Sequence, residues 1–347
     1  MLSTTILKRR LPSATTIFTR YVSTVTQQEQ RPPPPPPPTT TEPRKIFGIS
    51  TEVYKETDVE KHNDTKFITH PLFPHPDFPH EDCENVEYTH RDPKTFGDRV
   101  SYRGIQLVRG AFDYVTGYKK PKPDNMNEFV GTRYEMNESK WLTRVIFLES
   151  IAGIPGAAAS FIRHLHSLRL LKRDKAWIES LMEEAYNERM HLLLFTKLGK
   201  TSWFTRSIMY VGQGIFANVF FLCYLVNPKF CHRFVGYLEE EAVSTYTHLL
   251  HELDTPGKLP KFEYVKIPEI AVSYYPDLHE KSTFRDLILR IRADEAKHRE
   301  VNHTLANLNQ KSDRNPFALQ VEGVEEQPNH GLKVTRPAGW EKDELKL

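Results

Sequence analysis

An all-α fold is the class this sequence predicts, and three observations carry that expectation. Between Trp141 and Asp254 there are only two prolines, Pro155 and Pro228. Apolar residues recur through that stretch at spacings of three and four, the period of an amphipathic helix. Two Glu-x-x-His motifs, Glu188-Arg189-Met190-His191 and Glu295-Ala296-Lys297-His298, lie inside strongly helical segments.

The elements follow in chain order. Residues 1–28 contain no Asp or Glu but carry Lys8, Arg9, Arg10 and Arg20 among many Ser and Thr. That basic, hydroxylated, acid-poor composition is the pattern of a mitochondrial presequence, read here as residues 1–30. Its apolar runs are too short for the core of a secretory signal. Pro32–Pro38 is an unbroken proline run, extended and unable to form a helix. Residues 31–95 stay polar and rich in Pro and His, so they read as a disordered arm. Helices are expected at about 99–117, 139–170, 175–199, 203–226, 229–253 and 283–309. Asp174, Thr201, Ser202 and Ser282 stand at or just before helix starts as candidate caps. The stretches 119–138 and 254–281 read as long connections, and residues 311–347 as a polar tail. The folded domain is therefore placed at 96–310. Long helices joined by long crossovers fit a ferritin-like four-helix bundle.

Composition removes several function classes. Hydrophobic residues make up 39% of the 347 residues and charged residues 27%, and three cysteines are too few for a disulfide scaffold. A net charge of +2 does not suggest a nucleic-acid binder. A mean hydropathy of -0.54 argues against a polytopic membrane protein.

The Glu-x-x-His motifs carry the chemistry. Residues i and i+3 share a helix face, so each motif points a carboxylate and an imidazole the same way. A di-iron carboxylate bundle takes this pair from two helices and a single Glu from each of two others. Glu149 stands alone in an apolar helix, where an unpaired buried carboxylate is costly. A metal would satisfy it; a buried pairing with Arg144 is the alternative. The second single Glu lies among Glu239, Glu240 and Glu241, and helix geometry alone does not choose between them. The order Glu, Glu-x-x-His, Glu, Glu-x-x-His predicts a di-iron site. Zinc fits less well, because it prefers four ligands, often with Cys. Four carboxylates suit a pair of iron or manganese ions.

At these residues the sequence resembles the mitochondrial alternative oxidases. The matching stretches are Leu148-Glu149 through Pro155-Gly156, Glu183 through Leu192, Leu238 through Ala242 and Arg292 through His303. Asn-Glu-Arg-Met-His and Arg-Ala-Asp-Glu-Ala-x-His-Arg separate it from ferritins, reductase small subunits and desaturases. The 119–138 insertion is of the kind fungal members carry. The resemblance implies a non-proton-pumping, cyanide-resistant oxidoreductase that oxidises ubiquinol and reduces O₂ to water. It implies two iron ions held by Glu149, Glu188, His191, Glu239, Glu295 and His298, which resolves the glutamate triplet. It gives Tyr246 and Glu241 catalytic roles, and lines the quinol site with Arg109, Asp113, Arg144, Leu148, Ala242 and Thr245. Asn187 and Asp294 would support the ligands. It further implies a homodimer through His164, Leu168, Arg169, Arg189, Leu192 and Gln213. One departure is Tyr274-Tyr275, where many members have Tyr-Trp. The plant members' regulatory cysteine finds no match around Cys83.

Ser207 to Pro228 is 22 residues without a charge, long enough to span a membrane. Gln213, Asn218 and two glycines interrupt it, and it sits between two ligand-bearing helices. It is therefore read as a helix lying in one leaflet, with Arg103, Arg169, Arg206, Lys229 and Arg233 as candidate rim residues. The resemblance places that leaflet on the matrix side of the mitochondrial inner membrane. Rival readings are a di-iron quinone hydroxylase, a plastid-type terminal oxidase and an iron-storing or structural membrane bundle.

Overall fold

A computed structural model describes residues 48–55, 58–59, 70–122, 124–318 and 320–345. The expected presequence and the proline run lie outside the described residues. Strand β1 (Thr51–Val53) is followed by α1 (His80–Glu84), α2 (Phe96–Thr116), α3 (Glu138–Leu170) and α4 (Trp177–Leu198). Then come β2 (Gly199–Thr201), α5 (Trp203–Val226), α6 (Pro228–Asp254), the short α7 (Pro260–Glu263) and α8 (Glu269–Tyr274), and α9 (Phe284–Leu305). All six expected helices are present, and the described residues are all-α apart from one small antiparallel ladder and an isolated bridge between Lys122 and Asn125.

Local chemistry sets the helix ends. Thr95 and Asp98 form a reciprocal capping box at the start of α2, and Thr283 and Asp286 form another at α9. Thr283 thus caps α9, one residue after the expected Ser282. Asn137 caps α3, Ser202 caps α5, and Asn227 with Pro228 behind it caps α6. Asp174 accepts from Ile178 N at 2.8 Å, but α4 itself begins later, because Lys175 and Ala176 adopt left-handed φ of 66° and 64°.

Four helices make the bundle. α3 packs mainly on α4, and α6 mainly on α9. A Cβ on Gly156 would lie 2.5 Å from Leu181 O, so glycine lets α3 approach α4 backbone to backbone. A Cβ on Gly236 would lie 2.4 Å from His303 Nδ1, which brings α6 equally close to α9. The crossover helix α5 rests on α3 and α6, and Gln213 on it donates to Ser150 O at 2.6 Å.

α9 is the centre of the fold, yet it carries many charges. Arg290, Arg292, Asp294, Lys297, Arg299 and Glu300 are all buried there. Buried charge requires partners, and segments outside the bundle supply them. Arg292 donates to Cys83 O at 2.7 Å, Arg299 donates to Glu87 O at 3.1 Å, and Trp340 Nε1 donates to Glu300 Oε1 at 2.7 Å.

This corrects the sequence reading of the flanks. Residues 70–95 are not a loose arm, and 311–345 are not a solvated tail: Phe78, Cys83, Asn315, Phe317 and Trp340 are buried against the bundle. Their anchors are single apolar residues among polar ones, which leave no periodic signal. Arg233 is also not at a membrane rim. It is buried, with its Nε on Asp98 Oδ1 at 2.9 Å and a second nitrogen on His303 Nδ1 at 2.9 Å.

No strand was expected, but Thr51–Val53 pairs with Gly199–Thr201. Gly199 is required there, since a Cβ would meet Glu52 O at 2.4 Å. α3 and α5 are each long and apolar enough to cross a membrane by length and composition. α3 is largely buried in the bundle, whereas α5 exposes Trp203, Tyr210, Val211, Ile215 and Leu222 along its outer side. The outer face of α2 continues that surface type with Leu107 and Tyr114 exposed.

Candidate metal centre

Each bundle helix sends a carboxylate into one buried space. Glu149 comes from α3, Glu188 and His191 from α4, Glu239 from α6, and Glu295 and His298 from α9. Glu188 and His191 are fully buried, Glu149, Glu239 and Glu295 are at most 2% exposed, and His298 is 8% exposed. Their side-chain atoms gather in two overlapping sets, each with one ligand atom per residue within 4.8 Å of the others. One set is Glu149, Glu188, His191 and Glu295; the other is Glu188, Glu239, Glu295 and His298. Glu188 and Glu295 belong to both.

Most of the ligand atoms have no hydrogen bond within the protein. Glu149 Oε2, Glu239 Oε2, both oxygens of Glu188 and of Glu295, and the Nδ1 atoms of His191 and His298 are buried without a hydrogen bond. His298 Nδ1 lies 2.7 Å from Glu188 Oε1, and His191 Nδ1 lies 3.3 Å from Glu295 Oε1 and 3.4 Å from Glu149 Oε2. These close approaches are not aligned as hydrogen bonds. Burial raises the Glu149 and Glu239 carboxyls well above the usual range, and the neighbouring Glu295 and Glu188 add to it. Such an arrangement of converging lone pairs and stacked negative charge is unfavourable by itself and is relieved by cations. The site therefore fits a metal centre.

A fixed scaffold orients the ligands. His191 Nε2 is 3.0 Å from Asp294 Oδ2, which leaves Nδ1 free for the buried space. Asp294 also accepts from Asn187 Nδ2 at 3.1 Å and Tyr275 Oη at 2.9 Å, while its Oδ1 meets His75 Nε2 at 2.7 Å. Burial would raise the Asp294 carboxyl, but His75 and His191 outweigh it and hold it well below the usual range. Tyr246, fully buried, donates its hydroxyl to Glu149 Oε1.

A second constellation adjoins the first. Arg109 binds Asp113 at 3.2 Å and also pairs with Glu241. Arg144 binds the other oxygen of Asp113 at 2.7 Å and donates to Thr116 Oγ1 at 2.9 Å. Thr245 donates to Glu241 O at 2.8 Å, Ala242 is buried beside it, and Leu148 is half-buried one residue before Glu149. Gln106 donates to Glu241 Oε1 at 3.2 Å, and Lys120 Nζ lies 3.5 Å from Glu241 Oε2.

The alternative oxidase family matches residues 78–307. The chain belongs to the alternative oxidase family. It is 70% identical over 305 residues to the mitochondrial alternative oxidase of Scheffersomyces stipitis, covering 87% of this chain and 85% of that one. It is 65% identical over 303 residues to mitochondrial alternative oxidase 2 of Candida albicans, covering 87% and 83%. The Aspergillus niger mitochondrial alternative oxidase is 51% identical over 263 residues, covering 76% and 74%. Membership of the alternative oxidases makes the chain an oxidoreductase, a ubiquinol oxidase.

The structure brings together all six residues expected at the metals, and separates the glutamate triplet three ways. Glu239 faces the buried space. Glu240 takes His303 Nε2 at 2.8 Å, His90 Nδ1 at 2.6 Å and Arg91 N at 2.9 Å. Glu241 faces Arg109. The alternative pairing of Glu149 with Arg144 is not made, since Arg144 is engaged by Asp113. Tyr275 keeps a hydrogen bond to Asp294 where many alternative oxidases have tryptophan. Sequence reasoning missed His75, Gln106 and Lys120. His75 lies in Pro74-His75-Pro76, outside any periodic element, and nothing in its surroundings announces its contact with α9.

Proposed function

We propose that Glu149, Glu188, His191, Glu239, Glu295 and His298 would hold two iron ions, and that ubiquinol binds at the Arg109–Glu241 constellation. The overlap of the two sets carries the reading, since Glu188 and Glu295 belong to both and neither oxygen of either has a hydrogen bond. Four carboxylates suit hard to borderline cations that change charge. When bound, iron supplies the redox change that joins quinol oxidation to oxygen reduction. In the balanced reaction two ubiquinols and one O₂ give two ubiquinones and two waters.

The protein's own groups position and shuttle protons. Arg109, Asp113 and Arg144 form a rigid charged row that orients a quinol ring against Leu148, Ala242 and Thr245. Glu241 is the acceptor nearest that row and takes the quinol hydroxyl proton. Tyr246 holds its hydroxyl hydrogen on Glu149, between the constellation's helix and the centre, where it relays a proton and an electron. Asn187 and Asp294 keep His191 in the tautomer whose Nδ1 lone pair faces the metals.

The same reading places α5 and the outer face of α2 in the matrix-side leaflet of the mitochondrial inner membrane. α5 lies along α3 and α6 rather than apart from them, which suits a helix in the interface. Ubiquinol is lipid-soluble, so a site between α2, α3 and α6 receives it from the bilayer. The exposed side chains of His164, Leu168, Arg169 and Arg189 support a homodimer face. Oxygen uptake by membranes with ubiquinol as donor and cyanide present tests the function. Uptake that vanishes in Glu188→Ala supports it; no uptake from folded, iron-loaded protein overturns it in favour of a quinone hydroxylase.

A further inference from the structure

A cleft that shares no lining residue with the Arg109–Glu241 row reaches the metal centre. It holds about 60 Å³ of free volume, room for a few waters. Its floor includes His298, Asp294 and Asn187, and its walls include Glu183 and Glu184 of α4. The two flanking segments roof it, with His75 from one and Phe317 and His330 from the other. His298 is the least buried of the six candidate ligands, as expected where a passage meets the centre.

The lining is rich in electron pairs and poor in free donors. Glu183 and His330 stand at the outer end, half-exposed, with carboxylate and imidazole 3.6 Å apart. Glu184 is 5% exposed and accepts from Asn302 Nδ2 at 2.9 Å. Asn187 spends both its amide hydrogens on Tyr274 and Asp294, and its Oδ1 has no partner. His75 uses Nε2 on Asp294, and its Nδ1 has no partner. Both residues are more than nine-tenths buried. The ammonium in the lining, Lys297, is neutralised by Glu300 at 2.7 Å and by Gly331 O at 2.9 Å. A row of acceptors that runs from surface to centre, with its only ammonium already paired, attracts cations.

We propose that this cleft is the route by which divalent metal reaches the centre, with Glu183 and His330 receiving the ion and Glu184 passing it to His298. The inference rests on the reading of the six residues as metal ligands. A dedicated route answers a steric problem: once the bundle has folded, the centre is enclosed by four helices.

The test follows metal uptake by full-length protein in detergent after chelation, with Co²⁺ as an oxidation-stable probe. Visible absorbance gives the rate and elemental analysis the final ratio. The wild type is expected to take up two ions per chain. Glu184→Gln, and separately Glu183→Gln with His330→Gln, are expected to slow uptake at least tenfold and reach the same final ratio. The second variant changes only half-exposed side chains, so it folds even where the first does not. Glu326→Gln, an exposed substitution away from the cleft, should keep the wild-type rate. Equal rates in wild type and both cleft variants would overturn the route and leave the metal reading intact. A final ratio below two in the variants would also overturn it, making these residues supports of the centre. No uptake by the wild type would overturn the metal reading itself.

Discussion

Asn187 donates to Asp294 across 3.1 Å, and each residue stands one position before the glutamate of a Glu-x-x-His motif. The two motif helices are thus joined to each other behind the ligands as well as through them. Asp294 is the hub, since His75, His191 and Tyr275 converge on it too. Asp294→Asn removes the charge those donors share. It should weaken metal retention by about 10–100-fold, the usual effect of losing such an orienting partner. Metal content during a timed chelator challenge checks this, with far-ultraviolet circular dichroism reporting the fold.

Tyr246→Phe deletes one hydroxyl and almost no volume. Glu149 keeps its place on α3, so the bound metal should remain at the wild-type ratio. Turnover should fall by roughly 100-fold or more, the low end for losing a positioned proton-transfer group. Metal analysis and oxygen uptake on the same preparation separate the two effects. Loss of metal with activity would assign the hydroxyl a purely structural part.

Three consecutive glutamates on α6 should give three different phenotypes. Glu239→Ala should lose metal. Glu240→Ala leaves His303 and His90 without their carboxylate, so it should lower stability by about 1–3 kcal/mol, the usual cost of leaving a buried hydrogen-bonding group unsatisfied. Glu241→Gln should retain metal and fold but lower kcat/KM for ubiquinol, with a shifted pH profile. Denaturation, metal analysis and steady-state kinetics on the three proteins check the separation.

Two buried histidines should make the protein acid-sensitive. Burial pushes His232 down to about 4 and His248 down to about 3. Both stay neutral in the folded state at pH 5, while unfolded histidine, with a pKa near 6.5, is protonated. The unfolded state then binds more protons, so stability is full above about pH 6.5 and falls as the pH drops towards 4. The pair should contribute a slope of about 2.7 kcal/mol per pH unit near pH 5, from two protons at 1.36 each. Unfolding free energies of wild type and the His232→Asn, His248→Asn double variant between pH 7 and 4.5 should differ by that slope. Parallel curves would contradict it.

Sequence periodicity exposed the long helices because each repeats its apolar face over several turns. α2 shows this best, whereas α3 is apolar almost all round, which left Glu149 visible as a lone charge among Val145, Ile146, Phe147 and Ile151. The metal centre was legible for a related reason: its residues recur at i and i+3 inside such helices. The triplet 239–241 was not resolved by spacing, since all three residues lie within one turn and only the neighbours on α2 and α9 distinguish them. The flanks were misread because His75, Phe78 and Trp340 act singly. Their burial is dictated by charges on α9, far away in the chain. The same holds for Arg233, whose partner Asp98 precedes it by 135 residues.

The three-residue ladder between Thr51–Val53 and Gly199–Thr201 bears on the order in which the protein assembles. It closes a loop of about 150 residues, which in a flexible chain costs about 4 kcal/mol of entropy plus a constant. So short a ladder does not offset that cost from an open chain. The hairpin of α3 and α4 must first carry Gly199 next to Leu142, and residues 70–95 must dock on the bundle, after which only a short stretch of chain separates strand β1 from its partner and the closure cost falls. The ladder is then a late latch whose amide protons should gain protection only after those of the bundle, making it a local report that folding is complete.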